Sequence, residues 1–313
     1  MKLPLVTVGI ASFNNAEYLR ETLESVRLQT YAPIEVIIVD DASLDNSVEV
    51  ARKWISDYPE INAQLVRHEK NQGICRVCNS IITRAKGEFI SLIGSDDVYL
   101  PDKLANQVPA LMQGPPELGV VFGDIAYMDS EGKSIEPSFE KATMHSGDVL
   151  IPLLRGNFVP AMSILVRKKC YDTVGLYDET LFYDDYDMWL RIARKFHFLY
   201  VPGVTARYRI HPKSVSFSRQ LQMLESSLML VQKHRDHSPM ANQLINGITS
   251  RSAAMMYLLG GGATARHWLW QSWRQTPNVA GLGLLGLATL RIPASALRNI
   301  KHRVQRLLSS GNQ

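Results

Sequence analysis

Over the first hundred residues, short β-branched runs alternate with segments of helical periodicity, and this alternation restricts the fold more than any other feature. Leu5–Ala11, Ile34–Val39, Gln64–His68 and Glu88–Gly94 read as strands, mostly apolar on both faces. Between them Leu19, Leu23 and Val26 recur at helical spacing, as do Val48, Ala51 and Ile55, then Ile74, Val77, Cys78 and Ile81. Strands that are apolar on both sides need covering on both sides. The pattern therefore predicts an α/β fold with a mixed, mostly parallel sheet sandwiched by helices. Asn14, with Glu17 three residues on, predicts a capping box at the first helix, Asn standing in for Ser or Thr.

From about residue 114 the pattern changes. Val120–Phe122, Ile125–Met128, Met162–Val166, Phe196–Val201 and Thr205–Arg209 read as strands, Tyr186–Lys195 as a short helix, and 133–147 as a polar loop. After Arg219 the composition turns helical through Lys233, then apolar with many small residues. The expected division is 1–112 and 113–219 as two halves of one domain, with 220–313 a helical, basic C-terminal extension.

Composition narrows the class. With 313 residues, 46% hydrophobic and 20% charged, the chain can bury a full core. Cys75, Cys78 and Cys170 are too few for a disulfide framework and fit a reducing compartment. The N-terminus lacks the features of a signal peptide, and no apolar run reaches the roughly 20 residues of a membrane span, so a cytoplasmic protein is expected. A formal net charge of +4 is mild for a nucleic-acid binder, and no base-reading motif is present, so no nucleic acid is expected as a partner. The charge is unevenly spread: every Asp and Glu lies at or before Asp236, and residues 237–313 carry eight Lys/Arg. The chain reads as an acidic body joined to a basic attachment surface.

In parallel sheets ligands sit beyond the carboxyl ends of the strands. That directs attention to Ser12-Phe13-Asn14, Asp40-Asp41, Glu69-Lys70-Asn71 and Ser95-Asp96-Asp97. A carboxylate such as Asp41 can accept a hydrogen bond from a base N–H or a ribose hydroxyl, or it can brace a loop. Asp96 and Asp97 would repel a diphosphate unless a divalent cation, Mn²⁺ or Mg²⁺, bridged them. Asp184, Asp185 and Asp187 open a helix whose apolar face is Met188, Trp189, Ile192 and Phe196. They can complement the helix dipole, or one can be a general base for a hydroxyl nucleophile. Asp185 is favoured for that role, with Asp184 the alternative. The turn after the first strand has no glycine, which excludes a dinucleotide-dependent oxidoreductase.

An ordered set of motifs carries a resemblance. It comprises Val6 through Asn14, Tyr18-Leu19, Leu23 through Tyr31 and Glu35 through Ser43. Asn71-Gln-Gly73, Ala85 through Ile90, Ser95-Asp-Asp97, Asp184 through Arg191 and Tyr208-Arg-Ile-His211 complete it. Over roughly residues 4–219 the chain resembles the family 2 glycosyltransferases, bacterial-type inverting sugar transferases of GT-A fold. The resemblance implies transfer of a sugar from a nucleotide-diphosphate donor to an acceptor hydroxyl, with inversion. The implied setting is surface polysaccharide, lipopolysaccharide or glycolipid assembly, with a saccharide or lipid-linked acceptor. Carried over, Ser12 and Asn14 flank the nucleotide, Asp41 meets the base, and Asn71 and Gly73 belong to the same site. Asp96 sits by the ribose and phosphates, Asp97 is the direct metal ligand, His211 lies near the diphosphate or metal, and the acids before Tyr186 supply the base. One departure is Cys78, which stands where the family often has an arginine; Cys75 and Cys78 read as core residues. The competing reading is a catalytically silent GT-A-like module that binds nucleotide or scaffolds a complex.

Val279 through Leu290 is a run of twelve uncharged residues, about half a membrane span. Beyond it Arg298, Lys301, Arg303 and Arg306 intersperse with Leu297, Ile300, Val304, Leu307 and Leu308 at helical spacing. The stretch 279–308 is expected to lie on an anionic membrane surface, the inner face of the cell membrane, or else to pack on the catalytic body or a second subunit.

Overall fold

The computed structural model describes residues 3–136, 143–182, 185–212, 220–235 and 238–292. The chain divides into two compact units, Met1–Ser214 and Val215–Gln313. The first begins with β1 (Val6–Ser12), α1 (Ala16–Arg27), β2 (Ile34–Asp40), α2 (Ser47–Asp57), β3 (Asn62–Arg67), α3 (Ile74–Arg84) and β4 (Phe89–Gly94). β3, β2, β1 and β4 lie side by side, all parallel, with Val6 opposite both Ile34 and Phe89. Val8, Ile10, Val36 and Ile38 pack with Leu19, Leu23 and Val26 of α1 and with Ala51 and Trp54 of α2. The chain runs outward from β1 to β3 and returns on the other side of β1 as β4. That reversal opens a crevice between the carboxyl ends of β1 and β4, where open α/β sheets take their ligands.

The same sheet continues through the second half. There follow β5 (Val98–Tyr99), α4 (Lys103–Gln113), β6 (Leu118–Met128), β7 (Ser134–Ile135), α5 (Leu150–Arg155), a 3-10 turn at Ala161–Ser163, β8 (Leu165–Arg167), α6 (Lys168–Val174), α7 (Asp185–Ala193) and β9 (His197–Arg209). β8 joins β4 antiparallel, β6 joins β8 antiparallel, β9 runs parallel to β6, and β5 closes the far edge against β9.

Four sequence-based expectations change here. The paired runs at 120–128 and at 196–209 are each one long strand, β6 and β9, bent at irregularities in their shared register. A Cβ on Gly123 would lie 2.4 Å from Thr205 Cγ2, so the glycine that looked like a strand end is a point of close approach. Residues 162–164 form a turn rather than strand, because Ser163 N–H and Oγ–H both donate to the Pro160 carbonyl (3.0 and 2.8 Å). The 133–147 segment includes the short strand β7. Helix α4 was hidden by polar residues on its buried face. Lys103 Nζ donates to Ser91 Oγ, Gln107 Oε1 and the Ile164 carbonyl at 2.8–2.9 Å, and Gln107 donates to the Ser163 carbonyl at 2.7 Å.

The second unit contains α8 (Gln220–Lys233), α9 (Pro239–Leu258), α10 (Gly262–Gln275) and α11 (Val279–Thr289), packed around Leu228, Ala253, Met256, Trp268 and Leu269. Among the described residues no helix is long and apolar enough to cross a membrane. The basic stretch at 298–308 lies outside the described residues.

At the opposite end of the strands from the crevice, buried Glu35 accepts hydrogen bonds from Thr7 Oγ1 (2.5 Å), Lys86 N–H (2.6 Å) and Gly87 N–H (3.0 Å). This carboxylate ties β1, β2 and the turn before β4 together. A Cβ on Gly87 would lie 2.5 Å from Thr7 N and 2.8 Å from the Phe89 carbonyl, both backbone atoms that cannot step aside. Gly87→Ala should therefore destabilise the fold by about 1–3 kcal/mol, the usual effect of overpacking, as read from chemical denaturation; an unchanged midpoint would contradict this packing.

Candidate active site

The loops after β1 and β2 are locked to each other. Asn14 adopts φ +52°, its N–H donates to Ser43 Oγ (2.9 Å), and its Oδ1 accepts from Leu44 N–H (2.8 Å). The expected capping box does not form. The N-cap is Asn15, whose side chain makes no cap bond, and Asp45 from the neighbouring loop accepts the Ala16 N–H at 2.9 Å instead. Asp40 turns back into its own loop, accepting from Ser43 N–H (2.9 Å) and Oγ–H (2.5 Å), with Ser12 Oγ at 3.4 Å.

Asp41 is buried at the end of β2 and reaches across to the segment before α3. Its oxygens accept the Gln72 N–H (2.9 and 3.0 Å) and the Gly73 N–H (2.8 Å), and His68 Nδ1 lies 2.7 Å away. Gly73, at φ +90°, supplies a left-handed turn that few other residues adopt readily. Asp41 thus braces the Asn71–Gly73 loop, and Asn71 itself is exposed.

Beyond β4, Asp96 and Asp97 sit at the crevice. Asp97 is buried; its Oδ1 accepts the backbone N–H of Arg209 (2.9 Å), and its carbonyl accepts Thr22 Oγ1–H (2.7 Å). Asp96 is partly exposed, and its Oδ2 lies 3.0 Å from His211 Nε2. His211 therefore reaches the acid pair through Asp96. Burial, and after it the charge of Asp96, pushes the Asp97 carboxyl well above its ordinary range.

The third acidic group separates into distinct roles. Asp185 begins α7, with Asn157 Nδ2 donating to its Oδ2 at 3.4 Å. Asp187 is buried and pairs with Arg191 at 2.9 Å. Arg191 in turn holds the carbonyls of Val174, Gly175 and Leu176, so Asp187 stabilises the turn after α6. Asp184 lies outside the described residues.

Two connections went unnoticed in the sequence. Asn79 of α3 mimics a backbone unit against the segment leading to α7: its Nδ2 donates to the Tyr177 carbonyl (3.0 Å) and its Oδ1 accepts the Tyr177 N–H (2.8 Å). Arg76 adds an ion pair to Glu179 at 2.8 Å. Cys75 and Cys78 are buried and unbonded to each other, as core residues. The other connection is Arg209, hidden between the aromatic and the histidine of its own motif.

The geometry now has a sequence context. Residues 7–172 match the description Glycosyl transferase family 2. The chain belongs to this family. A glycosyltransferase of Rickettsia felis is 31% identical over 217 residues, 68% of this chain but 35% of that protein, so the chain spans about a third of its length. The amylovoran biosynthesis glycosyltransferase AmsE of Erwinia amylovora is 25% identical over 72% of this chain and 83% of its own. Among solved structures, mannosyltransferase PcManGT of Pyrobaculum calidifontis, in complex with GDP-Man and Mn²⁺, superposes with TM-score 0.62 at 17% identity, covering 93% of this chain and 81% of that one. S. aureus TarS with UDP-GlcNAc gives 0.64 at 15%, covering 91% and 87%. The fold of this chain is GT-A.

The acid pair of this chain suits a hard cation. A Cβ on Gly94 would lie 2.8 Å from Asp96 Oδ1 and 3.6 Å from Asp97 Oδ2, so glycine leaves open a cradle on which oxygens of both carboxylates converge. Among the described residues no ready-made group of three or more His, Cys, Asp or Glu ligands is present. That incompleteness matches Mg²⁺ or Mn²⁺, which take one or two carboxylates and fill the remaining positions with water and substrate phosphate.

The raised Asp97 carboxyl has a stability consequence whose sign is fixed. Between the ordinary aspartate range and its raised folded value, the folded protein holds a proton that the unfolded chain has released. Stability of the metal-free protein therefore falls as pH rises through that window. Asp97→Asn should raise the thermal midpoint of the metal-free protein near neutral pH and flatten this slope; a lower midpoint would contradict the assignment.

Proposed function

We propose that this glycosyltransferase moves a sugar from a nucleoside-diphosphate donor to an acceptor hydroxyl with inversion, in the assembly of a surface polysaccharide, lipopolysaccharide or glycolipid. The observation that carries the reading is the convergence of Asp96 and Asp97 over Gly94 at the β1/β4 switch point, with a separate acid, Asp185, opening α7. The GDP-Man and Mn²⁺ of PcManGT, the UDP-GlcNAc of TarS and the polysaccharide named for the Erwinia relative support it.

Ser12, Asn14, Asp41, Asn71 and Gly73 take the nucleotide, Asp41 acting at the base both directly and by shaping the loop that encloses it. Asp96 serves the ribose and phosphates, and Asp97, with His211 alongside, holds the divalent cation. When bound, the cation supplies Lewis-acid neutralisation of charge on the departing diphosphate. Asp185, or Asp184 beside it, accepts the proton of the acceptor hydroxyl as that oxygen bonds to the anomeric carbon. The bond to the diphosphate oxygen breaks on the opposite face, its electron pair leaving with the diphosphate. Asn157 keeps the Asp185 carboxylate directed.

Asp185→Asn should lower turnover by about 10²–10⁴-fold, the range for a lost general base. It should also keep the wild-type thermal shift produced by nucleoside diphosphate with Mn²⁺. Near-normal turnover in both Asp185→Asn and Asp184→Asn would remove the base assignment.

The acceptor in this reading is a saccharide or lipid-linked saccharide, and the enzyme works at the inner face of the cell membrane. Val279, Leu282 and Leu290 are exposed on or next to α11, and the Arg274 guanidinium lies 4.7 Å from the Trp270 ring centre on α10. Such apolar and cationic groups, with no carboxylate beyond Asp236, suit an anionic lipid surface. Co-sedimentation with anionic vesicles at low salt, lost when 279–313 are deleted, is the expected result; equal sedimentation of both forms would sink the membrane role.

A further inference from the structure

We infer that Arg209 is a positioning residue that sets the Asp96–Asp97 loop for cation binding by clamping it to both halves of the domain; the inference rests on the metal reading of that acid pair. Arg209 is 2% exposed, and its donors meet acceptors from three separate segments. Its backbone N–H donates to Asp97 Oδ1 (2.9 Å), and its Nε–H donates to the Asp96 carbonyl (2.8 Å). Nη1 donates to the carbonyls of Asp129 and Ser130 (3.3 Å each), in the turn between β6 and β7. Nη2 donates to the carboxylate of Glu21 on α1. The guanidinium carbon lies 4.6 Å from the Tyr18 ring centre, and the His211 ring packs on that same tyrosine at 5.1 Å.

The acceptors dictate an arginine. They lie around one planar group in different directions, and a guanidinium offers five N–H donors in a fixed fork, whereas an ammonium offers a compact point of charge on a flexible stem. The arginine side chain is buried, so water does not readily take the place of a lost fork donor. The residues held are the two whose oxygens converge over Gly94. Tyr18 carries Arg209 on the β9 side and His211 next to it, so one aromatic platform registers the clamp with the histidine that bonds Asp96. Through these contacts α1, the β4–β5 loop, the β6–β7 turn and the end of β9 share one anchor.

The test is Mn²⁺ binding in the presence of a nucleoside diphosphate, read from the electron paramagnetic resonance of free Mn²⁺, with thermal midpoints recorded in parallel. Arg209→Lys keeps the charge and loses the fork, and should bind Mn²⁺ about ten-fold more weakly, the equivalent of about one charge-assisted hydrogen bond. Arg209→Met should bind more weakly still, so that lysine gives partial rescue. A scaffolding role alone would lower the thermal midpoint and leave the affinity of the folded protein unchanged; folded Arg209→Lys with wild-type affinity overturns the inference. If neither variant folds, Glu21→Gln, at the exposed end of the fork, decides: weaker Mn²⁺ binding supports the clamp and unchanged binding overturns it. Absence of Mn²⁺ uptake by the wild type sinks the metal reading, and the inference with it.

Discussion

A carboxylate withdrawn from water at the end of a strand has to be compensated, and the architecture around Asp97 is organised by that requirement. Its desolvation is opposed by a backbone N–H from β9 and by the positive charge of Arg209, while Asp96 works in the opposite direction. The pair is therefore held in place by hydrogen bonds and remains electrostatically unfavourable. Such a site gains from an added positive charge. Glycine at position 94 leaves the space in which that charge would sit.

The crevice is also a junction. On one side, Asp41 fixes the start of α3 through two backbone N–H groups. Three residues of α3 then hold the segment that leads to α7: Cys75 at the Leu181 carbonyl, Arg76 at Glu179, and Asn79 at Tyr177. The helix whose start Asp41 fixes thus also supports the segment that leads to Asp185. Side chains on a helix, rather than loop contacts alone, link the loop held by Asp41 to the segment before Asp185.

Much of the first sheet was legible because its strands are apolar runs separated by helices with clear periodicity, and because the acids stand just past the strand ends. What escaped was polar structure inside the fold. Lys103 and Gln107 disguised the buried face of α4, Gly123 broke one strand into two on paper, and Asn14 looked like a helix cap although its left-handed backbone sends its side chain to Leu44. In the site, residue types pointed to the acids but not to what holds them. Asp187 sits beside Asp185 in the sequence and is committed to Arg191. Arg209 and Asn79 act through partners 79 to 188 residues away, a distance over which local pattern carries no information.

The buried Glu35 junction gives the molecule a division of labour along its strands. It fastens β1, β2 and the approach to β4 at the amino-terminal edge of the sheet, at the other end of the strands from Asp41, Asp96 and Asp97. Register is thereby secured by one end of the barrel-less sheet while the other is free to diverge. The loops beyond the carboxyl ends of the strands can change in sequence without disturbing this junction, because none of its hydrogen bonds involves them.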